Sequence, residues 1–152
     1  MSNSSCQAMP PTATGIFLVL IDTNVWSELA RPRPDPAVLA WMAAHFDQCI
    51  LSAIVVAEIR FGIALAPDPT AQGRLQQFLD DLIIRLPVTP FGDAAAQAWG
   101  PMRADLQKRG KLIGERDMLI AAHALSLQTS LATRDVSDMA RTGARIINPW
   151  TD

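Results

Sequence analysis

The chain has 152 residues, is 49% hydrophobic and 18% charged, and carries a formal net charge of -2. That length suits one domain with a single core, and the slight negative charge excludes a protein that holds nucleic acid through a broad basic field. It does not exclude an enzyme that reaches phosphates through bound cations. The apolar share fits either a well-filled core or a surface covered by a partner.

Two cysteines, Cys6 and Cys49, give no disulfide framework and no zinc pattern. Cys49, in the run Cys49-Ile50-Leu51, reads as a small core residue. The apolar run at 16–21 is too short to span a bilayer, and no Lys or Arg precedes it as in a signal peptide. A cytoplasmic protein without a membrane partner is expected.

Residues 1–15, rich in Ser, Pro, Thr and Ala, read as a flexible N-terminal extension, and 16–152 as the folded domain. The branched run at 17–21 suits a buried parallel strand. Asp22-Thr23-Asn24 breaks it with capping residues, and 25–30 reads as a short helix. A Pro-rich loop at 31–36 leads into a helix from Pro36 to about Asp47, with Val38, Leu39, Trp41, Met42 and Phe46 as its apolar face. A strand at 50–52 is followed by a helix over 53–65, which Pro67-Asp68-Pro69 ends. Helical spacing covers 70–85, and 86–89 is a brief strand. Asp93 is expected to cap a helix to about Arg109, stopped by Gly110. A strongly apolar helix spans 117–127, a strand 130–133, a helical turn 136–140 and a last short strand 145–147.

Strands alternating with helices predict an α/β fold with a mainly parallel sheet. Ligands in such sheets bind beyond the carboxyl ends of the strands. Asp22 directly follows the first strand, and Asp135 lies just past the fourth. Glu58 lies six residues past the second strand, roughly 9 Å along a helix. Asp117 opens a helix after the turn-forming Gly114. All four acids can converge on one edge of the sheet.

Each acid also has a plain structural reading. Asp22, Asp117 and Asp135 can be helix caps or first-turn acids, and Glu58 can sit at the edge of an apolar face paired with a base such as Arg60. Taken together they are harder to dismiss, because four close carboxylates repel one another unless a cation neutralises them. Oxygen-only ligands favour Mg²⁺ or Mn²⁺ over zinc. A divalent ion so held can activate water and stabilise charge in phosphoryl transfer. Thr23, Asn24, Ser52 and Thr133 can orient the acids or the water. Arg31, Arg33, Arg60, Arg116 and Arg134 are candidates to grip phosphates, though a surface Arg more often only meets solvent. No Walker A, Gly-x-Gly-x-x-Gly or Gly-x-Ser-x-Gly motif occurs. His45 and His123 lie on separate helices, and His123 reads as a packing residue rather than a catalyst.

Leu20-Ile21-Asp22-Thr23-Asn24-Val25 resembles the opening motif of the PIN-domain nucleases. The segments 51–59, 114–122 and 131–135 resemble their second, third and fourth motifs. Ile147-Asn148-Pro149-Trp150 is similar to the ending of the FitB-like branch of VapC toxins. The match runs in order over about 18–150; no single motif is specific, but the ordered set is.

The resemblance implies a PIN-like three-layer fold, with a central sheet flanked by helices. It implies a Mg²⁺- or Mn²⁺-dependent endoribonuclease, the toxin of a type II toxin–antitoxin pair. Asp22, Glu58, Asp117 and Asp135 match the acidic quartet, with Asp22 and Asp117 as the main metal ligands, and Thr133 matches a hydroxyl position near the site. Implied partners are an RNA substrate, a cognate antitoxin and a second copy of the chain, with DNA contacted only through the antitoxin. Asp138, three residues after Asp135, is a second candidate to complete the quartet; Asp135 is preferred because it is nearer the strand end. A PIN-like module that only binds is the alternative reading, and retention of all four acids argues against it. A phosphohydrolase acting on a small phosphate ester lacks its Gly-rich loop or Asp-x-Asp nucleophile here.

Overall fold

The computed structural model describes residues 17–152. The expected extension at 1–15 therefore lies outside the described residues. In chain order the elements are β1 (Val19–Ile21), α1 (Thr23–Leu29), α2 (Pro36–His45), a 3₁₀ turn (Phe46–Gln48), β2 (Cys49–Ser52), α3 (Ala53–Leu65), α4 (Pro69–Arg85) and β3 (Val88–Thr89). There follow α5 (Asp93–Lys108), α6 (Glu115–Leu127), β4 (Ser130–Ala132), α7 (Val136–Ala140) and β5 (Ile146–Ile147).

The five strands form one sheet in the order β3-β2-β1-β4-β5, and every neighbouring pair is parallel. Val19, Leu20 and Ile21 are fully buried, as a central strand covered on both faces requires. The chain builds one half of the sheet outward from β1 through β2 and β3, then crosses back to add β4 and β5 on its other side. The strand order therefore reverses between β1 and β4, where α/β sheets open a crevice for ligands. Ile21 pairs in register with Ala132, so the next residues, Asp22 and Thr133, emerge side by side.

Several local expectations shift. Leu39 is 45% exposed, whereas Val38, Trp41 and Met42 are buried. Those three share the i, i+3, i+4 stripe of α2, and Leu39 lies about 100° round the helix from Val38. Asp93 is the first residue of α5 rather than its cap; Gly92 holds the cap position and provides no side chain. α6 starts at Glu115, so Asp117 lies within its first turn. Gly110 does end its helix region with a left-handed φ of 64°, which favours glycine.

Cys49 is buried beside Met42 Sδ, and burial pushes its thiol pKa up to about 12, so it is unreactive at neutral pH. His123 is 1% exposed and Ser52 is 0% exposed, and His123 Nδ1 lies 2.8 Å from Ser52 Oγ. Ser52 Oγ also accepts the Ile54 N–H and so caps α3. This buried pair joins the helix carrying Glu58 to the helix carrying Asp117. Replacing His123 by Ala should cost about 2–3 kcal/mol in urea unfolding, from the cavity and the lost hydrogen bond. Burial lowers the His123 pKa, partly opposed by the Pro90 carbonyl. Its contribution is then complete above 6.5, the ordinary value, and is lost as pH falls from there towards the lowered folded value. His123→Gln should flatten that limb of the stability profile; an unchanged limb would assign it to other groups.

Candidate active site

Asp22 leaves the end of β1 and caps α1. Its Oδ1 accepts the Thr23 N–H at 2.7 Å, and its Oδ2 accepts the Thr133 hydroxyl at 2.7 Å. Asn24 Nδ2 donates to the same Asp22 Oδ2 at 3.4 Å and to Thr133 Oγ1 at 3.2 Å. Thr133 Oγ1 in turn accepts the Asp135 N–H at 3.1 Å. A hydrogen-bonded web thus ties the ends of β1 and β4 across the switch point. Asp22 is only 2% exposed. Burial raises its pKa, hydrogen bonds from Thr133 and Thr23 oppose the rise, and Asp117 adds to it by repulsion.

Glu58 comes from α3, and Asp117 from the first turn of α6. Arg116 bridges them, with Nη1 at 2.9 Å from Glu58 Oε2 and Nη2 at 3.4 Å from Asp117 Oδ1. Glu58 thus pairs with Arg116 rather than with Arg60. Burial raises the Glu58 pKa; the neighbouring Thr23 hydroxyl and Arg116 pull it back, while Asp22 and Asp117 push it up. Its other oxygen, Oε1, is buried without a hydrogen bond of normal geometry. Asp135 is the cap residue of α7, and its pKa is raised by burial, then by Asp138 and Asp117. Asp138 is half-exposed and pairs with Arg141 at 3.5 Å. Arg116 itself is driven two ways: burial disfavours its charge, but Glu58 and Asp117 more than compensate and its pKa rises.

The fold therefore gathers Asp22, Glu58, Asp117 and Asp135 into one electrostatically coupled group, with Thr23, Asn24 and Thr133 around it. Ser52, expected beside the acids, instead caps α3 and holds His123. Arg31, Arg116 and Arg134 line an open groove of about 450 Å³ with Thr23, Asn24 and Trp150. Arg60 lines a different groove, between α3 and α4, and Arg33 is exposed in the loop after α1.

The donor set suits a hard divalent ion. It is made only of oxygens, one carboxylate is buried beside a second, and Glu58 Oε1 has no settled partner. Among the described residues, no three His, Cys, Asp or Glu side chains already close on one point.

The PIN domain signature matches residues 19–144. VapC ribonuclease Y4jK of Sinorhizobium fredii is 39% identical over 137 residues, 88% of this chain and 98% of that protein. The chain belongs to the PIN-domain family, in its VapC branch of ribonuclease toxins. Toxin FitB of Neisseria gonorrhoeae is 34% identical, with 89% of this chain and 100% of that protein aligned. The crystal structure of FitAcB from Neisseria gonorrhoeae superposes with a TM-score of 0.83 at 32% identity, covering 89% of this chain and 100% of that chain. The all-parallel five-stranded sheet is thus the PIN architecture.

Three features of this VapC-family site escaped the sequence reading. Trp150 reaches the groove from the far C-terminus, and Arg134 Cζ sits 4.9 Å from its ring centroid. Glu28, 7% exposed, pairs with Arg31 at 2.9 Å and accepts the Asp35 N–H at 3.1 Å, fixing the loop after α1. The Ser52–His123 pair is the third. Trp150 had a signal in the closing Asn-Pro-Trp, whereas Glu28 and the pair depend on tertiary contacts.

Proposed function

We propose that this chain is a divalent-metal-dependent endoribonuclease that uses Asp22, Glu58, Asp117 and Asp135 to hydrolyse RNA phosphodiesters. The observation that carries the reading is the buried Asp22 carboxylate, fixed by Thr133 and coupled to Asp117. Asp22 and Asp117 would hold Mg²⁺ or Mn²⁺, with Glu58 and Asp135 contributing directly or through water. The bound ion supplies a Lewis acid that lowers the pKa of water and neutralises developing charge on the phosphate. Glu58 and Asp135, with raised pKa values, are suited to take the proton of the attacking water. Thr133 and Asn24 hold Asp22 in one rotamer, and Arg116, Arg31 and Arg134 line the groove that RNA would enter.

The complexes formed by the relatives support a partner for this chain. FitAB has been solved bound to an IR36 DNA fragment, and this chain is similar to a chain of that complex at 33% identity with a TM-score of 0.80. We infer a cognate antitoxin for this chain, with DNA reached through that partner, since the chain's own net charge is -2. We assign the PIN domain to the described residues 17–152 and infer that the protein acts in the cytoplasm as a homodimer. No helix among the described residues is long and apolar enough to cross a membrane.

The test is cleavage of pooled cellular RNA by the purified chain with Mg²⁺, with Mn²⁺ and with chelator. Discrete metal-dependent cuts are expected. Intact RNA in both metals, from folded and antitoxin-free protein, would favour a module that only binds.

A further inference from the structure

We propose that Arg134, held over the Trp150 ring at the edge of the acidic group, is the platform on which a base of single-stranded RNA stacks. The proposal rests on the ribonuclease reading above and gives Arg134 a role in it that charge alone does not supply.

Arg134 is fixed from two sides. Its N–H is 3.3 Å from Asn24 Oδ1, and the amide nitrogen of Asn24 bonds both Asp22 and Thr133. Its guanidinium lies over Trp150, at 4.9 Å from the ring centroid. Trp150 is half-buried against the core, and its backbone N–H donates to Asn148 Oδ1 at 3.0 Å. The cation is thus presented at a set place relative to Asp22.

The other groove arginines are already engaged. Arg31 pairs with Glu28, and Arg116 with Glu58 and Asp117. Among the described residues no carboxylate pairs with Arg134, which is exposed. A planar guanidinium backed by an aromatic ring offers a flat face as well as a charge. Unstacked bases bind such planes, whereas bases inside a duplex have no free face. With a net charge of -2 on the chain, affinity for RNA has to draw on contacts of this kind as well as on phosphates.

Charge and stacking are separable by substitution. In chelator, where the RNA stays intact, binding of a fluorescein-labelled single-stranded oligoribonucleotide is followed by anisotropy and compared with a duplex of the same sequence. Arg134→Lys keeps the charge and loses the plane, and it should weaken single-strand binding about tenfold; Arg134→Gln, which loses both, should weaken it at least as much. Trp150→Ala should match Arg134→Lys, and Trp150→Phe should restore most of the affinity, with thermal melts confirming that each variant is folded. The duplex should bind more weakly than the single strand. Wild-type affinity in Arg134→Lys would reduce Arg134 to a phosphate contact and overturn the proposal. So would equal affinity for duplex, or no binding of single strands by the wild-type chain. Cleavage of pooled RNA by the wild-type chain tests the ribonuclease reading separately, because binding in chelator does not depend on it.

Discussion

Asp22→Asn is expected to abolish RNA cleavage and, in chelator, to raise the melting temperature. The two effects share one cause. Asp22 is 2% exposed and its pKa is raised, first by burial and then by repulsion from Asp117. Holding that charge in place is unfavourable for the fold and useful only to a cation. Asn keeps the shape and one acceptor oxygen, so it can still cap α1 or accept the Thr133 hydroxyl. It removes the negative charge that would draw a divalent ion. Cleavage should fall on the order of 10²–10³-fold or more, the size of losing one preorganised electrostatic group at a reacting phosphate. Labelled-RNA turnover gives the first readout, and thermal melts with and without Mg²⁺ give the second. A variant that cleaves normally would remove Asp22 from the chemistry. A variant that cleaves poorly and also melts lower in chelator would make Asp22 a structural cap.

The sheet was legible because its strands are short and apolar and end in polar residues that cannot continue them. Val19–Ile21 followed by Asp22 is the clearest case. The end of α3 was readable because a Pro-rich stretch stops it, whereas its cap, Ser52, was expected beside the acids. The four acids could be gathered on one edge because a parallel sheet places strand ends together. What sequence could not supply was the ion pair of Arg116 with Glu58, which depends on the turn of α6 that aims the guanidinium across. The same holds for Ser52, whose hydroxyl points to a histidine 71 positions away. Sequence order alone favoured Asp135 over Asp138, and the structure adds the surroundings of each. Asp138 sits one turn further along α7, beside Arg141, and Asp135 is the acid coupled to Asp117. Leu39 failed because an apolar residue one step off the buried stripe of α2 looks the same in sequence as one on it.

In chelator, the stability of the chain should fall as pH rises from the weakly acid range, and Mg²⁺ or Mn²⁺ should reverse the loss. Asp22, Glu58 and Asp135 all have folded pKa values above their ordinary values of 3.8, 4.5 and 3.8. Between the ordinary and the raised value, the folded state holds protons that the unfolded state has released. Stability therefore decreases with pH through that window and levels off above the folded values. Arg116 limits the loss by standing between Glu58 and Asp117, so Arg116→Gln should steepen it. A divalent ion that binds only the folded carboxylates restores stability at neutral pH, by about 2.7 kcal/mol at a hundredfold excess over its dissociation constant. The restored increment should be larger in Arg116→Gln, where the ion no longer competes with a guanidinium. His123 contributes with the opposite sign below 6.5, so the profile is best recorded in a His123→Gln background as well. Urea midpoints across pH, with chelator and with each metal, check all of this. A flat profile in chelator would mean that the acids are relieved by groups other than Arg116, and an unchanged midpoint with either metal would leave the quartet without its cation.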